Sequence, residues 1–308
     1  MTGLAVSGRP RATEVLGAYI ALMKPRVIEL LLVTTLPAMV LAADGLPSLR
    51  VTVFTLVGGT LAAGSANALN CYLDRDIDAL MKRTAMRPLT RSAEELSVSP
   101  RSAVVFGLAL GVGSVALLWV TTTPLAAVLA LLAIVIYVLG YTIGLKRRTS
   151  SNIVWGGAAG CMPVLIGQAA VTGSLTWASG VLFLVIFWWT PPHFWALAVR
   201  FRDDYAAAGV PMLPVVADVR VVARRIVGYT WAMIGASLVL IPVARLGLIY
   251  SVVAVATGGI FLREAYLVRA RARADEDLRP MRLFHWSITY LSLLSAAIVV
   301  DVLLPIWR

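Results

Sequence analysis

Three oxygen-bearing side chains, Asn70, Asp74 and Asp78, are spaced four apart in the stretch NALNCYLDRDIDALMKRTAMRP from Asn67 to Pro88. On a helix turning about 100° per residue, Asn67, Asn70, Asp74 and Asp78 fall within an arc of about 80°, and Asp76 falls opposite. Successive members of the set Asn70, Asp74 and Asp78 lie roughly 6 Å apart along the axis, so their side chains can converge on one point. Two carboxylates and an amide oxygen are hard donors of the kind that hold Mg²⁺. Carboxylates this close repel unless a positive charge sits between them. A lone DxxxD also describes a solvated helix end whose acids pair with Lys82 and Arg83. The setting decides between the two.

That setting is a membrane. The 308-residue chain is 59% hydrophobic, only 14% charged and carries a formal charge of +11, and its mean hydropathy is +0.85. A soluble domain of this length is not so composed. Cys71 and Cys161 form no CxxC pair, which argues against a disulfide framework or a zinc site. With only His193 and His285, a multi-histidine metal site is excluded. Residues 1–13 are polar and basic and read as a flexible cytoplasmic tail with no cleavable signal peptide after it. Residues 14–308 read as a single polytopic domain.

Apolar runs of about 20 residues predict nine spans, near 25–43, 51–73, 102–121, 124–144, 153–172, 176–198, 226–244, 247–268 and 285–305. Turn signals separate several of them: Asp44-Gly45-Leu46-Pro47, Thr123-Pro124 and Thr172-Gly173-Ser174. Fusing the seventh and eighth spans would leave Arg245 in mid-membrane at high cost. With the N-terminus inside, 24 of the 27 Lys and Arg residues fall on the inner side, as orientation by positive charge requires. The fold class expected is therefore all-α integral membrane, with nine transmembrane helices around a central cavity open at the cytoplasmic side of the cell membrane. The C-terminus lies outside. The basic balance follows from this topology and calls for no nucleic acid.

Asp74, Asp76, Asp78, Asp203 and Asp204 all fall at inner ends of even-numbered spans, and a proline–leucine pair follows each cluster, at Pro88-Leu89 and Leu213-Pro214. This hints at an old repeat. Three inner loops then share one face. The first carries the Asn/Asp ladder with Lys82, Arg83 and Arg87. The second is Lys146-Arg147-Arg148, which alone would be a plain positive-inside anchor. The third runs from His193 through Arg200, Arg202, Asp203, Asp204 and Tyr205 to Pro214. Acids holding Mg²⁺ beside arginines and lysines make a diphosphate site, because the metal bridges oxygens and arginine forks bind them in pairs. His193 follows Pro191-Pro192, where a helix is expected to bend or break. It reads either as a helix-end hydrogen-bonding residue or as a contact to substrate. Glu29, one turn inside the first span, is expected beside a basic group, and Asp301 is expected to reach water at the outer end. Small residues in the second span (Gly58, Gly59, Gly64, Ser65) and the fifth (Gly156, Gly157, Gly160) suit close helix packing or a cavity wall. A metal-diphosphate site at one face of a membrane bundle points to a lipid diphosphate, its tail among the helices and its head at the inner mouth.

On these residues the chain resembles the UbiA superfamily of intramembrane prenyltransferases, and within it the branch that farnesylates heme. The resemblance is carried by KPRVIELLLVTTLPAM from Lys24, NCYLDRDIDALMKRTAMRPL from Asn70, LKRRTSSNIVWGGAAGCMPVLIG from Leu145 and WWTPPHFWALAVRFRDDYAAAGVPMLPVV from Trp188. It implies transfer of the farnesyl group of farnesyl diphosphate to a vinyl group of heme B with addition of water, and Mg²⁺ as cofactor. It implies Asn70, Asp74 and Asp78 as the first metal motif, with His193 and the Asp203-Asp204-Tyr205 group at the second. It further implies Lys146, Arg147, Arg87 and Arg26 as diphosphate binders and links to a heme A synthase or a terminal oxidase. Where quinone-type members resemble DxxxD, the position four before Asp204 is Arg200. That substitution puts a second fully liganded metal in question and suits acceptor propionates. Two other readings stand beside this one: the same chemistry on a quinone precursor or other aromatic acceptor, and a transporter of an amphipathic anion. Transporters hold their substrates near the midplane, whereas this polar set lies at the inner edge.

Overall fold

The computed structural model describes residues 11–90 and 98–304. It is built from helices α1 (Ala12–Met23), α2 (Pro25–Ala43), α3 (Leu49–Leu73), α4 (Arg75–Leu80), α5 (Pro100–Thr121) and α6 (Pro124–Val135). A π-helical stretch, Ile136–Leu145, continues α6. Then come α7 (Asn152–Thr172), α8 (Trp177–Arg200), α9 (Arg202–Ala207), α10 (Leu213–Val216), α11 (Val219–Val243), α12 (Leu248–Ala274) and α13 (Pro280–Leu303). Among the described residues nine helical segments are long and apolar enough to cross a membrane, and they fall where the nine spans were expected.

The ends of these helices follow from local chemistry. Ser48, Ser99, Thr123 and Thr176 each accept a hydrogen bond from a backbone N–H of the first turn of α3, α5, α6 and α8, satisfying a donor that has no partner inside its helix. Gly173, at φ +69°, closes α7 in the left-handed conformation, where a side chain is disfavoured. Arg245 also adopts positive φ (+52°) and lies exposed in the turn between α11 and α12. That turn settles nine spans against eight.

Four expectations change. Ala12 and Thr13 belong to α1, and the rest of the expected tail, residues 1–10, lies outside the described residues. Pro191 and Pro192 do not break α8, which runs unbroken through them. Membrane helices tolerate proline because neighbouring groups re-satisfy the freed backbone. Glu29 is exposed and makes no ion pair among the described residues. Asp301 does not reach water. It is 3% exposed and accepts hydrogen bonds from the backbone N–H groups of Gly247 (2.5 Å) and Tyr250 (3.2 Å), capping α12 from α13. Replacing Asp301 with alanine should cost about 2 kcal/mol, because two buried donors lose a charged acceptor. Thermal unfolding in detergent checks this without reference to activity.

Of the small residues of α3 and α7, some serve close helix packing. A side chain at Gly58 would meet Leu118 of α5 at 2.6 Å, and one at Gly157 would meet Thr190 of α8 at 2.7 Å. Gly59 and Gly160 face open space. α3 packs on α5, α2 on α7 and α13, and α8 on α7, α11 and α13. The largest buried apolar cluster joins α7, α8, α11, α12 and α13. A second joins α3 and α6 to α7.

Two loops at one end of the bundle are built alike. Each acidic motif stands where a long spanning helix stops and a six-residue helix follows: α3 gives way at Asp74 to α4, and α8 gives way at Phe201 to α9. Ile77 and Met81 of the first loop pack with Tyr205, Ala208, Val210 and Met212 of the second. Apolar burial thus holds the two polar loops together at one end of the bundle.

Candidate functional site

The helix break at Asp74 does not spoil the ladder. Asp74 N–H still donates to Asn70 O (2.9 Å) and Asp78 N–H to Asp74 O (2.8 Å), so helical register carries through and the three side chains stay on one side. Asn70, Asp74 and Asp78 are buried at 3%, 0% and 1% exposure. Such acids persist in an apolar bundle only when paired.

Each acid has one oxygen held and one left over. Asp74 Oδ2 accepts from Lys146 Nζ and, at 2.7 Å, from Asn70 Nδ2. Asp78 Oδ2 accepts from Arg87 Nη1 at 2.5 Å. Asp74 Oδ1 and Asp78 Oδ1 are buried without a hydrogen-bond partner, although Arg147 Nη2 stands 3.6 Å from the former. A buried carboxylate oxygen with no donor is costly. Two of them on one helix face are what a divalent cation would satisfy, so this carboxylate pair fits the expected Mg²⁺. Four cations, Lys24, Arg87, Lys146 and Arg147, stand against Asp74, Asp76 and Asp78. Arg87, Lys146 and Arg147 balance the three acids, so a divalent cation held by the free oxygens would leave the site positive and suited to a polyanion.

Three partners come from parts of the chain that helical spacing does not reveal. Lys24, at the left-handed junction of α1 and α2 (φ 55°), donates from Nζ to Asn70 Oδ1 at 2.8 Å. Asn67 Nδ2 donates to Met23 O at 2.8 Å, so this member of the arc anchors that junction rather than facing the carboxylates. Burial pushes the Lys24 ammonium below the ordinary lysine range. Thr142 Oγ1 accepts from Asn70 Nδ2 (3.0 Å) and donates to Tyr137 O (2.9 Å). Thr142 and Lys146 both lie at the end of the π-helical stretch, where Lys146 N–H donates to Tyr141 O five residues back. Widened helical turns often mark functional sites, and here the widening aims both side chains at α3. With Oδ1 on Lys24 and Nδ2 on Asp74, Asn70 orients Asp74 and does not offer its oxygen to the carboxylate pair.

The diphosphate-binding candidates divide. Lys146 and Arg87 lie in the buried site. Burial works against the Arg87 charge, but the Asp78 carboxylate outweighs it and raises the guanidinium above its usual range. Arg26 is exposed at the start of α2 and makes no ion pair among the described residues. Arg147 forks onto Asp76, Nη1 to Oδ2 at 2.7 Å and Nη2 to Oδ1 at 2.6 Å, and Nη2 also reaches Leu73 O at 3.0 Å. Asp76, opposite the ladder on the helix, is therefore the residue that fixes where Arg147 points. The Arg147 hydrogen bonds hold the Asp76 carboxyl down to about 2. A depressed acid contributes above its unfolded value and loses that contribution as pH falls through its folded one, so this fork opens only between about pH 4 and pH 2. Both ends are solvated, which keeps its worth below about 1 kcal/mol. Asp76→Asn should leave thermal stability almost unchanged and weaken binding of inorganic pyrophosphate, read by calorimetry, about three- to tenfold by releasing Arg147.

The second motif is assembled less tightly. Asp204 Oδ2 accepts from the backbone N–H of Arg83 at 3.3 Å, and the Arg83 side chain reaches Tyr205 Oη at 3.2 Å. Asp203 is exposed. Among the described residues no three His, Cys, Asp or Glu side chains gather closely enough to hold a metal, so Asp203 and Asp204 do not join Asp74 and Asp78 in one cluster. His193 lies mid-helix rather than at a helix end. Its ring is stacked between Trp189 (4.2 Å) and Phe284 (4.6 Å), and Nδ1 is hydrogen-bonded to Ser287 Oγ at 2.6 Å. Both faces are covered, so only the Nε2 edge is left to a ligand. Arg200 is exposed over the Phe201 ring.

Nine candidate spans among the described residues, with a buried carboxylate pair beside cations at one end of the bundle, define a membrane protein equipped to hold a metal and a polyanion. The chain belongs to the UbiA prenyltransferase family, whose model it matches over residues 31–288. It is 61% identical over 285 residues to the protoheme IX farnesyltransferase of Frankia casuarinae, covering 92% of this chain and 97% of that one, and 55% identical over 287 residues to that of Streptomyces avermitilis, covering 92% and 93%. Among solved structures, digeranylgeranylglyceryl phosphate synthase shares the fold at a TM-score of 0.77 with 14% identity, over 94% of this chain and 99% of that one. A UbiA homolog from Archaeoglobus fulgidus bound to DMAPP and Mg²⁺ shares it at 0.67 with 16% identity, over 91% and 98%.

Proposed function

We propose that this protein transfers the farnesyl group of farnesyl diphosphate to a vinyl group of heme B, with water adding to the neighbouring carbon, at the cytoplasmic mouth of a cell-membrane bundle. The observation that carries the reading is the pair of buried oxygens without a hydrogen bond, Asp74 Oδ1 and Asp78 Oδ1, on carboxylates paired with Lys146, Arg147 and Arg87. The identity to named protoheme IX farnesyltransferases supports the choice of acceptor. The inner-side excess of Lys and Arg supports the orientation, with the N-terminus cytoplasmic and the C-terminus outside.

Asp74 and Asp78 would hold Mg²⁺ through those free oxygens, and Asp203 and Asp204 on α9 would serve as the second metal motif that the resemblance implies, meeting the diphosphate only through a cation. When bound, the metal would supply positive charge to the leaving diphosphate. The chain's own residues do the rest. Lys146, Arg87 and Arg147 lie where negative charge accumulates as the allylic C–O bond breaks, with Arg26 at the rim, and charge placed in advance is worth most in a site shielded from water. The apolar walls keep water from the allylic cation until the vinyl carbon has bonded to it. Water then adds to the neighbouring cationic carbon and loses a proton. No protein nucleophile is needed.

Product mass spectrometry tests this: purified protein with heme B, farnesyl diphosphate and Mg²⁺ should yield a hydroxyethylfarnesyl heme and diphosphate. Prenylation of a quinone precursor in place of heme, or flux of intact substrate without product, would refute it.

A further inference from the structure

Resting on the heme-farnesylating reading, we infer that Arg83 and Arg200 form a clamp for the two propionate carboxylates of the tetrapyrrole, and so decide which edge of the acceptor meets the allylic carbon. The two arginines come from different loops, Arg83 from the segment after α4 and Arg200 from the last turn of α8. Their guanidinium carbons stand 5.3 and 5.8 Å from the centroid of one ring, Phe201. An aromatic face attracts one cation readily. Two like charges gathered on the same ring repel each other, weakly here because Arg83 and Arg200 are both exposed to water, and an anion joining them turns that repulsion into attraction.

Among the described residues no carboxylate pairs with either. The nearby acid Asp204 accepts from the Arg83 backbone rather than its side chain, and the Arg83 guanidinium donates to the Tyr205 hydroxyl. The contrast with the adjoining site is sharp: Arg87, Lys146 and Arg147 each have an aspartate. The clamp is nonetheless held in place. Phe201 caps α8 and packs on the apolar cluster joining α4 to α9. Next to Arg83, Thr84 donates from Oγ1 to Asp78 O at 2.7 Å, which ties the clamp to the carboxylate pair through one short loop. Guanidinium forks bind carboxylates strongly and with fixed geometry. The propionates of protoheme share one edge of the macrocycle and its vinyls lie on the opposite edge. Anchoring the propionates at the solvated mouth turns the vinyls toward the bundle interior, where the farnesyl chain lies.

The test compares heme B with its dimethyl ester on the full-length protein, for wild type, Arg83→Gln, Arg200→Gln, the double variant and Arg200→Lys. Binding is read from the Soret band, and turnover is measured separately. Wild type should favour the free acid, and each glutamine variant should cut that preference about tenfold or more. KM for farnesyl diphosphate and behaviour toward the ester should stay unchanged, and Arg200→Lys should recover part of the preference. The clamp is overturned by an unchanged acid-to-ester ratio, by equal losses with both porphyrins, by a rise confined to KM for farnesyl diphosphate, or by no binding of heme B to wild type. Clamp-dependent binding of heme B without prenylated product would uphold the clamp and refute the reaction.

Discussion

Asp74→Asn should lower turnover by about 10³-fold, equivalent to about 4 kcal/mol of transition-state stabilisation, while the protein still folds. The substitution keeps the shape of a fully buried side chain and so opens no cavity. It leaves a single acceptor oxygen where there were two. That oxygen can accept from Lys146 and Asn70, as Oδ2 does now, or it can face the metal, but not both. Half-saturation by Mg²⁺ should therefore rise steeply alongside the loss of rate. Elution as a monodisperse species and a near-normal unfolding temperature would show that the fold survives. Wild-type turnover in this variant would remove Asp74 from the chemistry.

Arg87→Ala should have the second-largest effect, and it should show in stability as well as rate. Asp78 is 1% exposed, and Arg87 is its cation. Removing one member of a buried pair strands the other at a cost of roughly 3–5 kcal/mol, eased here because the Arg87 side chain is 26% exposed and water can follow it in. A loss of about 3 kcal/mol is expected in the presence of a chelator. Millimolar Mg²⁺ should return part of it, because a ligand that binds only the folded state stabilises by mass action and the stranded carboxylate is one of the proposed metal ligands. Turnover should fall about 100-fold with the loss of one diphosphate cation. Equal unfolding midpoints with and without Mg²⁺ would separate Asp78 from any metal.

The two variants also mark how far the sequence could be read. Spacing alone placed Asn70, Asp74 and Asp78 on one face, because i, i+4 geometry is local and survives the small break at Asp74. Hydropathy and turn residues placed the nine spans for the same local reason. Lys24 on Asn70, Lys146 on Asp74 and Asn67 on Met23 join residues 46, 72 and 44 positions apart. No periodicity reports contacts of that kind. The π-helical stretch was invisible because IYVLGYTIGL is equally apolar in either helix type, and its contacts with α3 and α7 are long-range. Asp76 was set aside for facing away from the ladder. It does face away, but toward Arg147, from a loop no local rule could place. His193 looked available because two prolines precede it, yet the unbroken α8 turns it onto α13. Asp301 looked wettable by its depth in the last span, and its burial depends on the N-terminus of α12 needing a cap.

The most direct test of a metal held between the two aspartates is anomalous scattering at the manganese edge. The sample would be crystals of the protein soaked with Mn²⁺ and a non-hydrolysable thio analogue of farnesyl diphosphate. A peak within bonding distance of both Asp74 Oδ1 and Asp78 Oδ1, with diphosphate oxygens on its far side beside Lys146 and Arg87, is the predicted result. A bound diphosphate whose only metal lies elsewhere, or no metal with both carboxylates turned from the ligand, would contradict the account.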